Sequence, residues 1–242
     1  MTRIASRDDW LTARRALLAR EKEHTRARDA LAAERLALPR VRIDTPYRFE
    51  TREGVTDLAG LFAGRSQLMV YHFMLGPGWE AGCTGCSFLA DHFDAMLPHL
   101  EAHDVTLTAV SSAPLAGIEA YRARMGWRFP WASSAGSSFN RDFHVSFTEA
   151  ELASGAVDYN FRATPAENAA RELPGISAFE RGPDGAVLHS YSSYARGPEE
   201  LIGTYMMLDL APKGRNEANI MDWVRRHDEY ETAPAAACCH GG

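Results

Sequence analysis

The order of apolar patterns in the middle of the chain constrains the fold more than any other feature. Residues 67–75 (QLMVYHFML) form a continuous apolar run, as expected of a strand that is buried on both faces. Apolar residues follow at helical spacing over residues 87–100, in alternation over residues 105–111, and again at helical spacing over residues 115–125. Strand, helix, strand and helix in this order predict a βαβ unit with a parallel sheet, and therefore an α/β fold.

The segments on either side of this unit add hairpins and helices. Alternating residues around Glu53-Gly54 predict one hairpin, and the turn Gly182-Pro-Asp-Gly185 within residues 174–191 predicts a second. Helices are expected over residues 198–210 and from residue 216 to about residue 230. Together these segments predict a central mixed sheet that is flanked by helices and interrupted by insertions.

The sequence divides into an arm, a main domain and a tail. Residues 1–38 form the predicted N-terminal helical arm, in which Ser6 caps a helix that Pro39 ends. Residues 39–230 carry the α/β domain, and residues 231–242 form a predicted flexible tail that contains two cysteines. A patchy apolar stripe along the arm favours packing on the main domain or on a second copy of the chain, so a homodimer is one expected state.

Charge and hydropathy exclude several classes of protein. The formal net charge is −6, and because a polyanion-binding surface needs a basic face, no nucleic-acid partner is expected. No apolar stretch has the length of a membrane-spanning helix and no secretory leader is recognisable, so we expect no membrane partner and a cytoplasmic location. Thiols are kept reduced in the cytoplasm, and a close cysteine pair there indicates redox or metal chemistry.

One such pair, Cys83-Thr-Gly-Cys86, lies between the predicted buried strand and the helix that follows it. Free backbone N–H groups and the helix dipole at this position favour a thiolate, and they lower the thiol pKa below its free value of about 8.5. Two intervening residues allow both sulfurs to meet on one helical turn. Cys83 is therefore the predicted attacking thiolate, and Cys86 is predicted to resolve the mixed disulfide.

A metal site is the main alternative for this pair. Half of a structural zinc site has the same spacing, but it needs two further ligands, and the sequence contains no second Cys-x-x-Cys. The other cysteines, Cys238 and Cys239, lie with His240 in the tail. Because thiolates and imidazole suit copper(I) and zinc, the alternative function is a copper- or zinc-binding protein that uses the pair with a histidine or with the tail.

Six stretches of the sequence match the motifs of one known family: residues 71–74, 78–91, 126–131, 138–142, 196–197 and 223–230. Residues 78–91 form the long motif Gly-Trp-x-x-Gly-Cys-x-x-Cys-Ser-Phe-x-x-Asp. Over roughly residues 5 to 230 the chain resembles a thioredoxin-like family of predicted dithiol-disulfide oxidoreductases, known as domain-of-unknown-function family 899, within the thioredoxin and peroxiredoxin superfamily. The resemblance implies a thioredoxin-like fold and an enzyme that exchanges electrons through the Cys83–Cys86 pair.

The resemblance also implies a substrate-binding surface around the pair. Thioredoxins carry a cis-proline opposite the dithiol and directly before a strand, and Pro174 matches that position, so a cis peptide bond is expected there. Trp79, four residues before Cys83, is a second candidate for the wall of the groove. The peroxiredoxin motif Pro-x-x-x-Thr/Ser-x-x-Cys is not present around the pair, so peroxidase activity is not expected.

The resulting hypothesis is a thiol-disulfide oxidoreductase whose partners are protein or small-molecule thiols and disulfides. No Gly-rich nucleotide-binding motif is present, so no organic cofactor is expected and electrons would come from another thiol. We assign no metal ligand from the sequence. A binding scaffold without catalysis is a third hypothesis, and it predicts that Cys83→Ser changes nothing measurable.

Overall fold

The computed structural model describes residues 3–230, which separate into two compact units, residues 3–40 and residues 41–230. In the first unit, helix α1 (Arg7–Ala37) begins at Ser6, whose side chain accepts a hydrogen bond from the Asp9 backbone N–H. The predicted arm helix is therefore present. None of the residues of α1 is buried, and its exposed large apolar side chains are those of Trp10, Leu17, Leu18, Leu31 and Leu36.

The second unit is built on a mixed sheet of eight strands. Their order across the sheet is β1-β10-β9-β4-β5-β6-β2-β3, in which β4, β5 and β6 are parallel and the other neighbouring pairs are antiparallel. Two further strands, β7 and β8, form a separate hairpin. The strands are β1 (Val41–Arg42), β2 (Arg48–Thr51), β3 (Gly54–Asp57), β4 (Gln67–His72), β5 (Val105–Ser111), β6 (Trp131–Ser133), β7 (Ala156–Tyr159), β8 (Arg162–Pro165), β9 (Gly175–Arg181) and β10 (Val187–Tyr194).

Six helices connect these strands or follow them. The predicted helix at residues 87–100 is divided into α2 and α3, which are separated at Asp91 and His92. The predicted helix at residues 198–210 is a 3-10 turn over Gly197–Leu201 followed by α7. The helices are α2 (Thr84–Ala90), α3 (Phe93–Ala102), α4 (Leu115–Met125), α5 (Phe139–Asp142), α6 (Glu149–Ala153) and α7 (Gly203–Leu210).

The expected helix over residues 216–230 is wrong, because side chains take the backbone N–H groups that a helix would use. The Asp222 carboxylate accepts hydrogen bonds from the N–H groups of Ala218 and Asn219, and Glu217 accepts one from Met221. Met221 also has a positive φ of 62°. Local side-chain bonds of this kind compete with helix formation. The segment forms turns instead, with a short 3-10 turn at His227–Glu229.

Alternation along β4 directs side chains into two cores, one on each face of the sheet. Tyr71 points into the first core, which contains Cys86 and the apolar faces of α2 to α4 and α7. Leu68 and Val70 point into the second core, which is rich in phenylalanine. Both faces are therefore buried, which explains why the sequence of β4 is apolar without alternation.

The central strands have the arrangement of a thioredoxin-like fold. The βαβ unit supplies β4 and β5, and the later hairpin supplies β9 and β10. Across the sheet these four strands have the order β5-β4-β9-β10. β5 and β4 are parallel, β9 is antiparallel to β4, and β10 is antiparallel to β9. The predicted fold class, a mixed sheet flanked by helices, is confirmed. The loop that leads to Cys83 therefore follows directly after β4.

Candidate active site

The two cysteines lie where β4 passes into α2. The chain leaves β4 at His72, turns between Gly76 and Trp79, and returns so that the Cys83 N–H donates to the Met74 carbonyl at 3.0 Å. Cys83 is the N-cap residue of α2 and is partly buried, whereas Cys86 lies inside the helix with an exposed fraction of 2%. Both are free thiols. Cys83 is therefore the less buried of the two residues.

The surroundings of Cys83 favour its thiolate. Its pKa is lowered to about 6, first by a hydrogen bond from the Cys86 thiol and then by the backbone N–H groups of Cys86 and Gly85. The positive charge of Arg226 contributes in the same direction, while partial burial opposes the shift. Opposite charge and donated hydrogen bonds both stabilise an anion. Near neutral pH, Cys83 is therefore mainly ionised.

The surroundings of Cys86 have the opposite effect. Burial raises the pKa of the Cys86 thiol, and the neighbouring Cys83 sulfur raises it further. The Tyr71 hydroxyl hydrogen-bonds to the Cys86 sulfur, and together with a backbone contact at Met74 it partly offsets these effects. Cys86 therefore keeps its proton while Cys83 is a free thiolate.

Arg226 links the C-terminal segment to the residue that precedes Cys83. Its guanidinium donates to the Gly82 carbonyl at 2.6 Å and 3.1 Å, and to the Tyr121 hydroxyl at 3.1 Å. Ser87 completes the network, because its hydroxyl donates to the Cys83 carbonyl at 2.8 Å and hydrogen-bonds with Tyr121 at the same distance. The backbone on both sides of Cys83 is thus held by side chains from α2, α4 and the C-terminal segment.

Two glycines allow the close packing around Cys83. A Cβ atom on Gly82 would lie 2.4 Å from the Phe73 ring and 2.7 Å from the Tyr121 ring. A Cβ atom on Gly85 would lie 2.9 Å from the Met221 sulfur and 3.9 Å from the Cys83 sulfur. Gly82 is therefore fixed by rigid rings, whereas Gly85 makes room for one flexible side chain that packs beside the thiolate.

Pro174 precedes β9, and its predicted cis peptide bond is wrong. No cis bond is present among residues 3–230. The segment before Pro174 pairs with residues 145–146, since the Leu173 N–H donates to the Val145 carbonyl at 2.8 Å and Glu172 bridges to Ser146, and the chain then enters β9 through a trans bond. The Pro174 carbonyl accepts a hydrogen bond from the Tyr159 hydroxyl at 2.7 Å. One of the two lone pairs of this carbonyl is therefore used within the chain.

Trp79, the other candidate groove residue, lies in the turn before Cys83. It is partly exposed, at 37%, and its backbone N–H donates to the Gly76 carbonyl at 3.2 Å. A Cβ atom on Gly76 would lie 3.2 Å from the indole nitrogen, so the ring folds back on its own turn. The structure thus leaves one part of the ring accessible and one part packed.

Sequence reasoning missed four residues that shape the site, namely Tyr71, Tyr121, Met221 and Arg226. Tyr71 stood in the buried strand and Tyr121 on the apolar side of a helix, where aromatic residues are expected for packing alone. Arg226 lies in the stretch 223–230, which matched the family but was interpreted as part of a helix. Its partner Gly82 is 144 residues away, and no local pattern reports such a pairing.

Among residues 3–230, no group of three or more His, Cys, Asp or Glu side chains has the geometry to hold a metal ion. Cys238, Cys239 and His240 lie outside the described residues. No helix in the described part of the chain is long and apolar enough to cross a membrane.

The fold and the site define a thioredoxin-like protein with a Cys-x-x-Cys pair between a buried strand and a helix. The chain belongs to the family described as "Bacterial protein of unknown function (DUF899)", whose sequence profile matches residues 1–230. No match is found among curated proteins.

Solved structures of peroxiredoxins are similar at low identity. Peroxidoxin BcpB from Mycobacterium tuberculosis is 12% identical, with a TM-score of 0.45 over 69% of this chain and 95% of its own. Peroxiredoxin Q from Xanthomonas campestris is 16% identical, with a TM-score of 0.44 over 72% and 94% of the two chains. The mitochondrial 2-Cys peroxiredoxin from Plasmodium falciparum is 13% identical, with a TM-score of 0.42 over 70% and 94%. At such values the fold assignment depends on the strand order given above.

Proposed function

We propose that this chain is a thiol-disulfide oxidoreductase in which Cys83 attacks and Cys86 resolves. The observation that supports this proposal is the asymmetry of the two thiols. Cys83 is only partly buried and has a pKa of about 6, while burial raises the pKa of Cys86 and keeps it protonated. A nucleophile that is ionised at neutral pH, next to a protected second thiol, is the arrangement that disulfide exchange requires.

The proposed reaction balances in two steps. The Cys83 thiolate attacks one sulfur of a substrate disulfide, forming a Cys83–substrate disulfide and releasing the other substrate sulfur as a thiolate. Cys86 then loses its proton and attacks the Cys83 sulfur, which releases the second substrate thiolate and leaves a Cys83–Cys86 disulfide. The substrate gains two electrons and the protein loses two. A dithiol of a protein, or two small-molecule thiols, returns them by the reverse exchange and is left as a disulfide.

The proposed docking surface surrounds the Cys83 sulfur. Trp79 offers a partly exposed aromatic face beside the turn that leads to Cys83. Pro174 precedes β9, and β9 pairs with β4, since Gly175 is the register partner of His72. Pro174 has no N–H to donate and one lone pair of its carbonyl is used by Tyr159, so in this proposal it contacts a substrate mainly through its ring. Docking in this proposal therefore uses side-chain contact more than backbone pairing.

Trapping separates this proposal from the alternatives. We expect the oxidised protein to contain a Cys83–Cys86 disulfide in peptide mass maps, and a dithiol reductant to reverse it. Cys86→Ser should accumulate mixed disulfides at Cys83 when a model disulfide such as oxidised glutathione is added, and Cys83→Ser should not. All variants carry Cys238→Ser and Cys239→Ser, so that the tail thiols do not contribute.

Three outcomes would contradict the proposal. Failure to form the Cys83–Cys86 disulfide under any oxidant would remove the resolving role of Cys86. Stoichiometric zinc or copper that protects both thiols from titration would favour the metal-binding alternative. Consumption of hydrogen peroxide, with no reaction toward disulfides, would show that the Cys83 thiolate reduces peroxide instead of exchanging disulfides.

A further inference from the structure

A strained aromatic residue projects from the hairpin formed by β7 and β8. Tyr159 pairs with Arg162, so only Asn160 and Phe161 form the turn, and their φ angles are 55° and 62°. Two-residue turns with two positive φ angles normally carry Asn-Gly, because a side chain at the second position is strained. Phe161 is nevertheless 76% exposed. An exposed ring in a disfavoured backbone conformation gains nothing from burial, which indicates a role outside folding.

Phe161 stands at the rim of an aromatic cavity of about 270 Å³. Its ring lies 5.4 Å from that of Tyr194, measured between centroids. Tyr47 and Phe143, whose rings are 6.3 Å apart, form another part of the wall, and both belong with Tyr194 to the second core. Cys83 packs against the first core, so the cavity is separate from the thiol site.

The charged groups around this cavity are acidic. Asp142 and Asp158 are among the lining residues, whereas no lysine or arginine of residues 3–230 is. Asp142 accepts a hydrogen bond from the Tyr47 hydroxyl at 2.9 Å, which orients its carboxylate, and the His144 Nδ1 lies 3.7 Å from Asp158. The remaining histidine of the wall, His189, has its pKa lowered by burial, which disfavours a positive charge there. The cavity therefore combines aromatic faces with negative charge.

We propose that this cavity, named here the aromatic pocket and formed by Tyr47, Phe143, Phe161 and Tyr194 with Asp142 and Asp158, binds a small organic cation of the substituted-ammonium type. Aromatic faces attract a cation through their quadrupoles, and quaternary ammonium groups are recognised by aromatic cages of this composition. The exposed ring of Phe161 closes over the ligand, which gives its strained position a function. The carboxylates select charge. This inference does not depend on the proposed redox function.

A matched pair of probes tests the selection of charge. Choline and its neutral isostere 3,3-dimethylbutan-1-ol have nearly the same shape, and both are titrated into the full-length Cys83→Ser protein at low ionic strength by calorimetry. We expect saturable binding of choline, with the isostere weaker by roughly tenfold. Asp158→Asn should reduce choline binding and leave binding of the isostere unchanged. Equal affinities of the two probes, or no saturable binding of choline, would overturn the proposal.

Phe161 provides a second test that separates binding from stability. Phe161→Gly removes the ring and relieves the strain, so we expect a higher melting temperature together with weaker choline binding. Phe161→Tyr keeps the ring and should retain the affinity. Should Phe161→Gly bind choline as tightly as the parent protein, the ring has no part in recognition and the proposed pocket is wrong.

Discussion

Replacing Cys86 tests the origin of the low Cys83 pKa most directly. The hydrogen bond from the Cys86 thiol is the largest of the causes that lower the Cys83 pKa from 9.0 to about 6, and it outweighs the opposing effect of burial. A hydrogen bond donated to a charged group contributes on the order of 1.5 kcal/mol or more, and about 1.4 kcal/mol corresponds to one pKa unit. We therefore expect loss of this donor to raise the Cys83 pKa by about one unit or more.

Two substitutions of Cys86 differ in whether the new side chain can donate a hydrogen bond to Cys83. Cys86→Ala removes the donor, so we expect the Cys83 pKa to rise to about 7 or higher. Cys86→Ser keeps a hydroxyl donor of similar size, so we expect a pKa that stays close to the value of the parent protein. Both variants retain the backbone N–H groups and Arg226, and both lack the second thiol, so the pair isolates the hydrogen bond.

The assay follows the thiolate directly. Absorbance at 240 nm and the rate of alkylation by iodoacetamide are measured against pH, and the midpoint of each curve gives the Cys83 pKa. The tail cysteines are replaced by serine in every protein, so that a single thiol titrates. Identical midpoints for Cys86→Ala and Cys86→Ser would refute the reasoning, because the hydrogen bond would then have no measurable effect and the backbone and Arg226 would set the pKa alone.

Three further predictions concern the groups around the pair. Arg226→Gln should raise the Cys83 pKa by less than Cys86→Ala does, since its charge is the smallest of the lowering causes; a larger rise in the same alkylation assay would reverse this ranking. Gly82→Ala should lower the free energy of unfolding by about 1–3 kcal/mol, because the added Cβ meets rigid rings. Gly85→Ala should lower it by clearly less, and equal midpoints of urea unfolding for the two variants would contradict this difference. Tyr71→Phe should slow release of a Cys83-bound substrate roughly tenfold, because Cys86 loses one hydrogen bond that favours its thiolate. Stopped-flow decay of the mixed disulfide measures this rate, and the Cys83 pKa should stay unchanged in the same variant.

The central part of the fold was predictable because its signals are local. The alternating run at residues 105–111 is β5, and the helical pattern at residues 115–125 is α4, with the same bounds. The turn Gly182-Pro-Asp-Gly185 joins β9 to β10 as expected. Each of these elements is specified by neighbouring residues, and the order of a parallel unit follows from the connection rules.

The rest depended on contacts between distant residues. The segment at residues 216–230 is apolar enough to suggest a helix, but carboxylates within it bind its own backbone N–H groups. The same segment brings Arg226 to Gly82, and periodicity does not report a contact of that kind. Leu173, directly before Pro174, donates its N–H to the Val145 carbonyl, and the family pattern did not include this contact between distant residues.

The contacts between the two thiols give the proposed reaction an intrinsic order. While Cys83 is a thiolate, it accepts the Cys86 proton in a hydrogen bond, and its charge raises the pKa of Cys86. Once Cys83 is bonded to a substrate sulfur, its charge and most of its strength as an acceptor are gone, so both of these causes disappear. Burial alone then opposes ionisation of Cys86, and the Tyr71 hydroxyl and the contact at Met74 favour it. Cys86 is therefore held in its unreactive, protonated form until Cys83 has reacted. It then becomes easier to deprotonate, next to the Cys83 sulfur that it attacks.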